Sequence, residues 1–110
     1  MPILRKRSPV LSKQTVRIGE LDLSLPGGYD NVKTFPLKVR KGRGLTVKVE
    51  SDAPVDMAVS GPDGRVLDFK EGISDGILGP IPFTETCTAA LLLGVYRGDR
   101  AELEIEAWQE

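Results

Sequence analysis

Apolar and polar residues alternate with period two along most of this chain, and this pattern constrains the fold more than any other feature. The segment Leu45–Glu50 reads Leu-Thr-Val-Lys-Val-Glu, and 101–107 alternates small or aliphatic residues with three glutamates. Period two is typical of a β-strand with one buried face. The chain shows no convincing helical period, so we predict an all-β fold.

Such segments recur about every 8–12 residues, with turn residues between them. The clearest turn is Gly61-Pro62-Asp63-Gly64, in which proline presets φ and glycine accepts a positive φ. The pattern predicts an antiparallel β-sandwich of jelly-roll or Greek-key type with about eight strands. The predicted strands cover 15–25, 32–40, 45–50, 55–60, 65–70, 81–83, 88–96 and 101–108, and the glycine-rich segment 71–80 is interpreted as a longer loop or a short strand near Ile77-Leu78.

The length of 110 residues predicts one domain, preceded by a short arm. Residues 1–14 are interpreted as an N-terminal basic arm and residues 15–110 as the β-sandwich domain. Pro9 removes a backbone donor and disfavours helix just before it. Two interpretations of the arm stay open. It is either a solvated, flexible tail or an ordered arm that docks its apolar residues on a neighbouring subunit, namely Ile3, Leu4, Val10 and Leu11.

Charge is sorted by sequence half. Residues 1–49 hold eleven Lys and Arg against three Asp and Glu, whereas residues 50–110 hold four against thirteen. The split is compatible with a nucleic-acid-binding arm, head-to-tail self-association, or oppositely charged strands that neutralise each other. First and last strands are often neighbours in a Greek-key sandwich, so we favour complementarity between strands or between subunits. Only Arg5-Lys6-Arg7 then remains as a free basic patch.

Composition excludes several kinds of chemistry. The chain has no histidine and one cysteine, Cys87, so it cannot build a histidine-dependent nucleophile, a His-ligated metal site or an intrachain disulfide. We therefore predict no enzyme activity, no cofactor and no metal. No apolar run is long enough for a transmembrane helix, and no signal peptide is recognisable. Cytoplasmic localisation without a membrane partner is the corresponding expectation.

Three stretches of the central region carry a family resemblance. They are Phe35–Gly42, Leu45–Val49 and Val55–Leu67, in the order aromatic strand, glycine turn, alternating strand and Pro-Asp-Gly hairpin. In this order they resemble the small β-sandwich binding modules of the bacterial pre-peptidase C-terminal and Golgi-dynamics (GOLD) types. The resemblance implies an interaction module, not an activity. The chain departs from these modules at 86–89, where Thr-Cys-Thr-Ala replaces their Gly-x-Tyr step.

Loop and strand charges suggest alternative sites. Five aspartates lie in or near predicted turns and could supply oxygen ligands to calcium, although aspartate is also a common turn former: Asp52, Asp56, Asp63, Asp75 and Asp99. The row Glu102, Glu104 and Glu106 is interpreted as a solvated or ion-paired strand face. A basic patch for polyanions is predicted at Arg5, Lys6, Arg7, Arg40, Lys41 and Arg43.

The segment 89–96 is apolar on both faces, which a strand with one buried face does not require. We interpret its second face as an interface, because an exposed apolar patch usually marks a contact surface. The predicted interface residues are Leu91, Leu92, Leu93, Tyr96 and Trp108. Cover by the chain's own N-terminal arm is the alternative.

Together these patterns predict a non-enzymatic structural or interaction module that self-associates into a homo-oligomer, with another protein as a further candidate partner. Two alternatives remain: a loop-based module for calcium or carbohydrate, and polyanion binding through the basic half. The pI near 5.5 argues against nucleic acid as the main partner.

Overall fold

The computed structural model describes residues 7–19, 31–96 and 98–110, and these form strands and turns without a helix. The all-β prediction is therefore confirmed for this part of the chain. Six strands are present in it: β1 (Ser8–Gly19), β2 (Val32–Val39), β3 (Gly44–Ser60), β4 (Val66–Pro82), β5 (Cys87–Gly94) and β6 (Arg100–Gln109).

All strand pairs are antiparallel, and the strand order is β1-β6-β3-β5-β2, with β4 paired to the free side of β3. The long strand β3 has two neighbours on its other side. Its residues 45–51 pair with β6, and its residues 56–60 pair with β5. Because β3 pairs with β6 along one part of its length and with β5 along another, the sheet curves and brings β1 close to β2. The result is a nearly closed sheet around one core.

The described strands number six where the sequence predicted about eight, because two pairs of predicted strands are continuous. Residues 51–54, predicted as a turn, form a bulge in β3, since the register moves from Glu50↔Asp75 to Val55↔Ile73. The Ser51 hydroxyl donates to the carbonyl of Ala53 at 2.6 Å and accepts from its N–H at 3.3 Å. The glycine-rich segment 71–80, predicted as a longer loop or a short strand, likewise belongs to β4 and joins the predicted strands 65–70 and 81–83. Register shifts place a bulge of β4 at 71–72 and another at 79–80.

The predicted turn between β3 and β4 is confirmed. The N–H of Gly64 donates to the carbonyl of Gly61 at 3.0 Å, and the N–H of Gly61 donates to the carbonyl of Arg65 at 2.8 Å. Gly64 has a φ of 82°, which is the conformation that favours glycine after a type I turn. The Asp63 carboxylate accepts from the Arg65 N–H at 3.0 Å and fixes the turn further.

The core follows the period-two pattern along much of β2, β3, β5 and β6, whereas β4 buries only Leu78 and Ile81, which are three residues apart. Strand β6 is the clearest example, with alternate residues 101, 103, 105 and 107 buried and the glutamates between them facing outward. The largest fully buried side chains include Ile18, Leu37, Leu45, Met57, Leu78, Leu91, Leu93, Leu103 and Ile105.

The first and last strands are neighbours, and their opposite charges meet. Arg17 lies directly opposite Glu102, and their side chains form an ion pair at 3.3 Å. Lys13 pairs with Glu104 at 3.6 Å. All four side chains are exposed, so each pair contributes only about 0–1 kcal/mol. The pairs show that part of the charge split is complementarity between strands of one chain.

Residues 8–14, which the sequence assigned to the arm, form the first part of β1 and pair with β6. Val10 and Leu11 accordingly pack against the chain's own core. Residues 1–6, with Ile3, Leu4 and the basic residues Arg5 and Lys6, lie outside the described part of the chain. The same applies to residues 20–30, where the predicted first strand was to continue to Leu25.

Candidate functional site

One face of the sheet carries an apolar row that crosses the three strands β5, β3 and β4. Leu92 on β5 lies opposite Thr34 on β2 and Ala58 on β3, and Ala58 lies opposite Phe69 on β4. Directly opposite residues of an antiparallel pair share a face of the sheet. This face is the outer one, because the neighbours of Leu92 along β5 are buried. We call Val32, Ala58, Val66, Phe69 and Leu92 the outer apolar face.

The outer apolar face is open to solvent. Three of its residues are more than half exposed: Phe69 at 59%, Val32 at 55% and Val66 at 52%. A groove of about 410 Å³ runs along it and is lined by residues of β2, β3, β4 and β5. Contiguous exposed apolar surface of this kind usually marks a site of contact with another molecule.

The structure places the predicted interface residues between 91 and 96 on different sides of the sheet. Leu92 is half-buried and lies on the outer apolar face, whereas Leu91 and Leu93 are buried in the core on the opposite side of the strand. Tyr96 follows the end of β5 and is 68% exposed. Its carbonyl accepts from the N–H of Asp99 at 2.9 Å in the next turn. Of the four, Leu92 is therefore the residue that the strand places on the open face.

Trp108 lies elsewhere, on β6, opposite Pro9 of β1 and Thr46 of β3. Its side chain is buried beneath Arg7, whose guanidinium carbon is 4.2 Å from the ring centroid. The indole N–H donates to the Glu110 carboxylate at 3.1 Å, and the same oxygen accepts from Arg7 at 3.1 Å. Trp108 is thus covered by Arg7 and lies apart from the second face of β5.

The rim of the groove carries charges of both signs. Asp56, Lys70 and Glu71 line it together with the apolar residues. The Asp56 carboxylate accepts from the Gly72 N–H at 2.8 Å, which fixes it beside the β4 bulge. The side chains of Lys70 and Glu71 make no ion pair with any other described residue. The groove therefore combines an apolar floor with a mixed, self-complementary rim.

The edge of the sheet next to the groove is partly blocked by Asp68. Strand β4 pairs only with β3 within the described residues, so its other side is an edge. The Asp68 carboxylate accepts from the backbone N–H of Phe69 at 2.9 Å and of Gly79 at 3.2 Å. Neither N–H is available to a strand of another chain, and inward charges are a common protection of edges. This arrangement protects that part of the edge against pairing with a strand of another chain.

Replacing Asp68 with alanine should therefore both destabilise the fold and expose the edge. Two backbone donors lose a charged acceptor, so we expect a loss of about 2 kcal/mol in the free energy of unfolding. Chemical denaturation measures this loss, and light scattering over hours measures aggregation. Asp75→Ala is the matched control, because Asp75 lies on the same strand, is exposed, and its side chain makes no hydrogen bond in the described part of the structure. Equal behaviour of the two variants would contradict the assigned role of Asp68.

Three of the five predicted loop carboxylates accept hydrogen bonds from the chain's own backbone. Asp52 accepts from the Glu102 N–H at 2.8 Å, and Asp56 and Asp63 accept from the backbone N–H groups already described. Within residues 7–19, 31–96 and 98–110, no group of three or more His, Cys, Asp or Glu side chains could hold a metal ion. These aspartates therefore act as local supports of the turns and bulges.

The predicted basic patch is brought together at one end of the sheet, as far as its residues are described. Arg40, Lys41 and Arg43 lie between β2 and β3, and an Arg43 guanidinium nitrogen donates to the hydroxyl of Ser8, next to Arg7. Arg5 and Lys6 lie outside the described part of the chain. Positions far apart in the sequence thus form one surface, because Ser8 and Gln109 are partners in the β1–β6 register.

Sequence reasoning missed Gln109, which is 2% exposed and holds this end together. Its side-chain oxygen accepts from the Arg40 N–H at 2.8 Å, and its amide nitrogen donates to the carbonyls of Arg40 and Arg43 at 3.1 and 3.3 Å. The signal was present, because 109 continues the inward parity of 101, 103, 105 and 107.

The sequence predicts Phe69 as a strand residue, but nothing in its local pattern distinguishes an outward from an inward position.

Comparisons with known proteins add no family. No protein-family model matches the chain, and no curated protein matches its sequence. The fold and the site define an all-β protein with an antiparallel, nearly closed sheet and one open apolar face. Among the residues that the structure describes, no helix has the length and apolar character needed to cross a membrane.

Proposed function

We propose that this protein is a non-enzymatic interaction module that self-associates through the outer apolar face. The observation that carries the proposal is the row Leu92–Ala58–Phe69, which continues across three paired strands and remains exposed at its β4 end. Burial of such a surface is the main favourable term in association. The likeness of residues 35–67 to small β-sandwich binding modules agrees with a binding role.

The rim supports a second copy of the chain as the partner. In a two-fold symmetric contact the same patch meets itself, so each charge faces the rim of the other copy. Lys70 can then approach Asp56 or Glu71 of the second subunit, while the Phe69 rings meet across the groove. A rim with one sign of charge would repel its own copy, whereas the mixed rim favours it.

The proposal also treats the nearly closed sheet as a two-layer sandwich. One layer would consist of β1, β6 and residues 45–51 of β3, and the other of β2, β5 and residues 56–60 of β3. The register of β3 supports this division, because the change of partner coincides with the bulge at 51–54. The outer apolar face is then the solvent side of the second layer.

Sedimentation equilibrium at tens of micromolar protein tests the proposal, and we expect a dimer for the natural chain. Phe69→Lys should weaken the dimer by at least about 100-fold. The reason is that two symmetry-related side chains each lose about 1.5 kcal/mol of burial, and two charges are added. The measurement is made at low and high salt so that electrostatic and apolar contributions separate.

Ile77→Lys is the matched control. Ile77 is a similarly exposed residue of β4, 49% accessible, but it lies outside the groove. The dimer should survive this change. A natural chain that is monomeric at both salt concentrations overturns the proposal, and so does equal dissociation of the two variants. Circular dichroism of each variant verifies that the sheet is intact.

A further inference from the structure

The ion pairs of the fold leave a part of the basic half without acidic partners. On β1, Lys13 and Arg17 are paired with glutamates of β6, and on β3 Lys48 pairs with Glu50 at 3.2 Å. The cations at the end of β2 differ. The side chains of Lys38, Arg40 and Lys41 are exposed, and no ion pair to them is present in the described structure.

These three residues continue into a larger basic surface. Arg43 is next in the same turn, and its hydrogen bond to Ser8 places Arg7 beside it. We call Arg7, Lys38, Arg40, Lys41 and Arg43 the basic end. Two acidic residues adjoin it: Glu110 pairs with Arg7 at 3.1 Å, and Glu85 precedes Thr86, whose hydroxyl accepts from the Lys41 N–H. Positive charge is thus in excess at this end although the whole chain has a net charge of −1.

The turn that bears the basic end is held in one conformation. Buried Gln109 binds Arg40 and Arg43 through three hydrogen bonds. The N–H of Gly42 donates to the carbonyl of Phe83 at 2.8 Å, and the N–H of Lys41 donates to the hydroxyl of Thr86 at 3.2 Å. Charges on a rigid turn lose less conformational entropy on binding than charges on a free loop.

From this geometry we propose that the basic end binds the phosphate backbone of a double-stranded nucleic acid without sequence preference. Three of its five cations are arginines, whose planar guanidinium groups suit phosphate oxygens. A duplex has a high linear charge density, and release of its counterions favours binding by an array of cations. A duplex suits this surface better than a single strand because the Trp108 ring is buried beneath Arg7 and offers no free face for stacking.

The proposal does not depend on self-association through the outer apolar face. It also narrows polyanion binding from the whole basic half of the sequence to one end of the sheet, since Lys13 and Arg17 on β1 are already paired with glutamates of β6. The averaged pI hides this difference, because it counts paired and unpaired cations alike. Backbone contact without base readout gives weak binding that depends strongly on salt.

Fluorescence anisotropy with a labelled 20-base-pair DNA duplex at 50 mM salt tests the proposal. The natural chain should bind with a dissociation constant in the micromolar range, about the strength of non-specific contacts. The double variant Arg40→Ala/Lys41→Ala should bind at least about 10-fold more weakly. It should also lower the slope of log affinity against log salt by about 2, since two phosphate contacts are lost.

The control is Lys13→Ala/Arg17→Ala, which changes the net charge equally but removes cations that are already paired. The affinity of this control for the duplex should stay within about 2-fold of that of the natural chain. Phe69→Lys should also bind within about 2-fold, and this second control separates duplex binding from self-association. Three results would overturn it: no binding at 50 mM salt, an equal loss in both double variants, or equal competition by polyglutamate and unlabelled duplex. Thermal melts of all variants verify that they remain folded.

Discussion

Replacing Gly79 with alanine should lower the free energy of unfolding by at least about 4 kcal/mol, which is among the largest effects of single substitutions. Gly79 has a φ of 102°, and a Cβ at this position would overlap the backbone carbonyl oxygen of Leu45. The neighbour is backbone of a fully buried residue, so it cannot move aside cheaply. Strain in φ adds to the overlap. Urea denaturation followed by the fluorescence of Trp108, the only tryptophan, measures the loss.

Gly42→Ala separates the two contributions. Gly42 also has a positive φ, 83°, but a Cβ there meets nothing within 4 Å. This variant should lose only about 1–2 kcal/mol, the cost of a left-handed conformation without a clash. A Gly79→Ala protein as stable as the Gly42→Ala protein would show that β4 can rearrange at this bulge and that the close approach to Leu45 is not required.

Replacing Gln109 with methionine should cost about 3 kcal/mol. Methionine keeps the approximate size of the side chain but removes three hydrogen bonds, each worth about 1 kcal/mol. The Arg40 N–H and the carbonyls of Arg40 and Arg43 lose their partner at a buried site. The same urea experiment measures the loss, and hydrogen exchange of the Arg40 amide should become faster.

Gln14→Met is the control for this substitution. The Gln14 side chain donates one exposed hydrogen bond to the Ser12 carbonyl at 3.0 Å, so its removal should change stability by no more than about 0.5 kcal/mol. A Gln109→Met protein with unchanged stability would contradict the role of this amide. It would also weaken the argument that the basic end is held rigid.

Turn chemistry made much of the fold predictable from the sequence. The Pro62-Asp63-Gly64 turn and the alternating strand 101–107 use local rules, and both were located correctly. The bulge at 51–54 was predicted as a turn because Asp-Ala-Pro commonly ends a strand. Pairing with β4 overrides this local preference, and such a long-range effect is not visible in a single segment.

The candidate site was also predictable only as far as local sequence patterns determine it. The double apolar character of 89–96 predicted an open face, and Leu92 lies on it. Sequence parity could not identify Phe69 and Val66 as its neighbours, because the β3–β4 register shifts between Val59 and Ser60. That shift brings residues of different parity in β4 to the same face. Similarly, the position of Trp108 under Arg7 depends on the pairing of β1 with β6.

The position of β6 between β1 and β3 has a consequence for how the chain acquires its structure. Of the six described strands, β1 is synthesised first, yet its hydrogen-bonding partner is β6, the sixth of them. Residues 45–51 of β3 also lack a hydrogen-bonding partner on one side until β6 has been synthesised. The nascent chain therefore holds two unsatisfied strand surfaces until residues 100–109 emerge. Such non-local pairing slows folding, so the final ten-residue strand sets the moment at which the molecule can close.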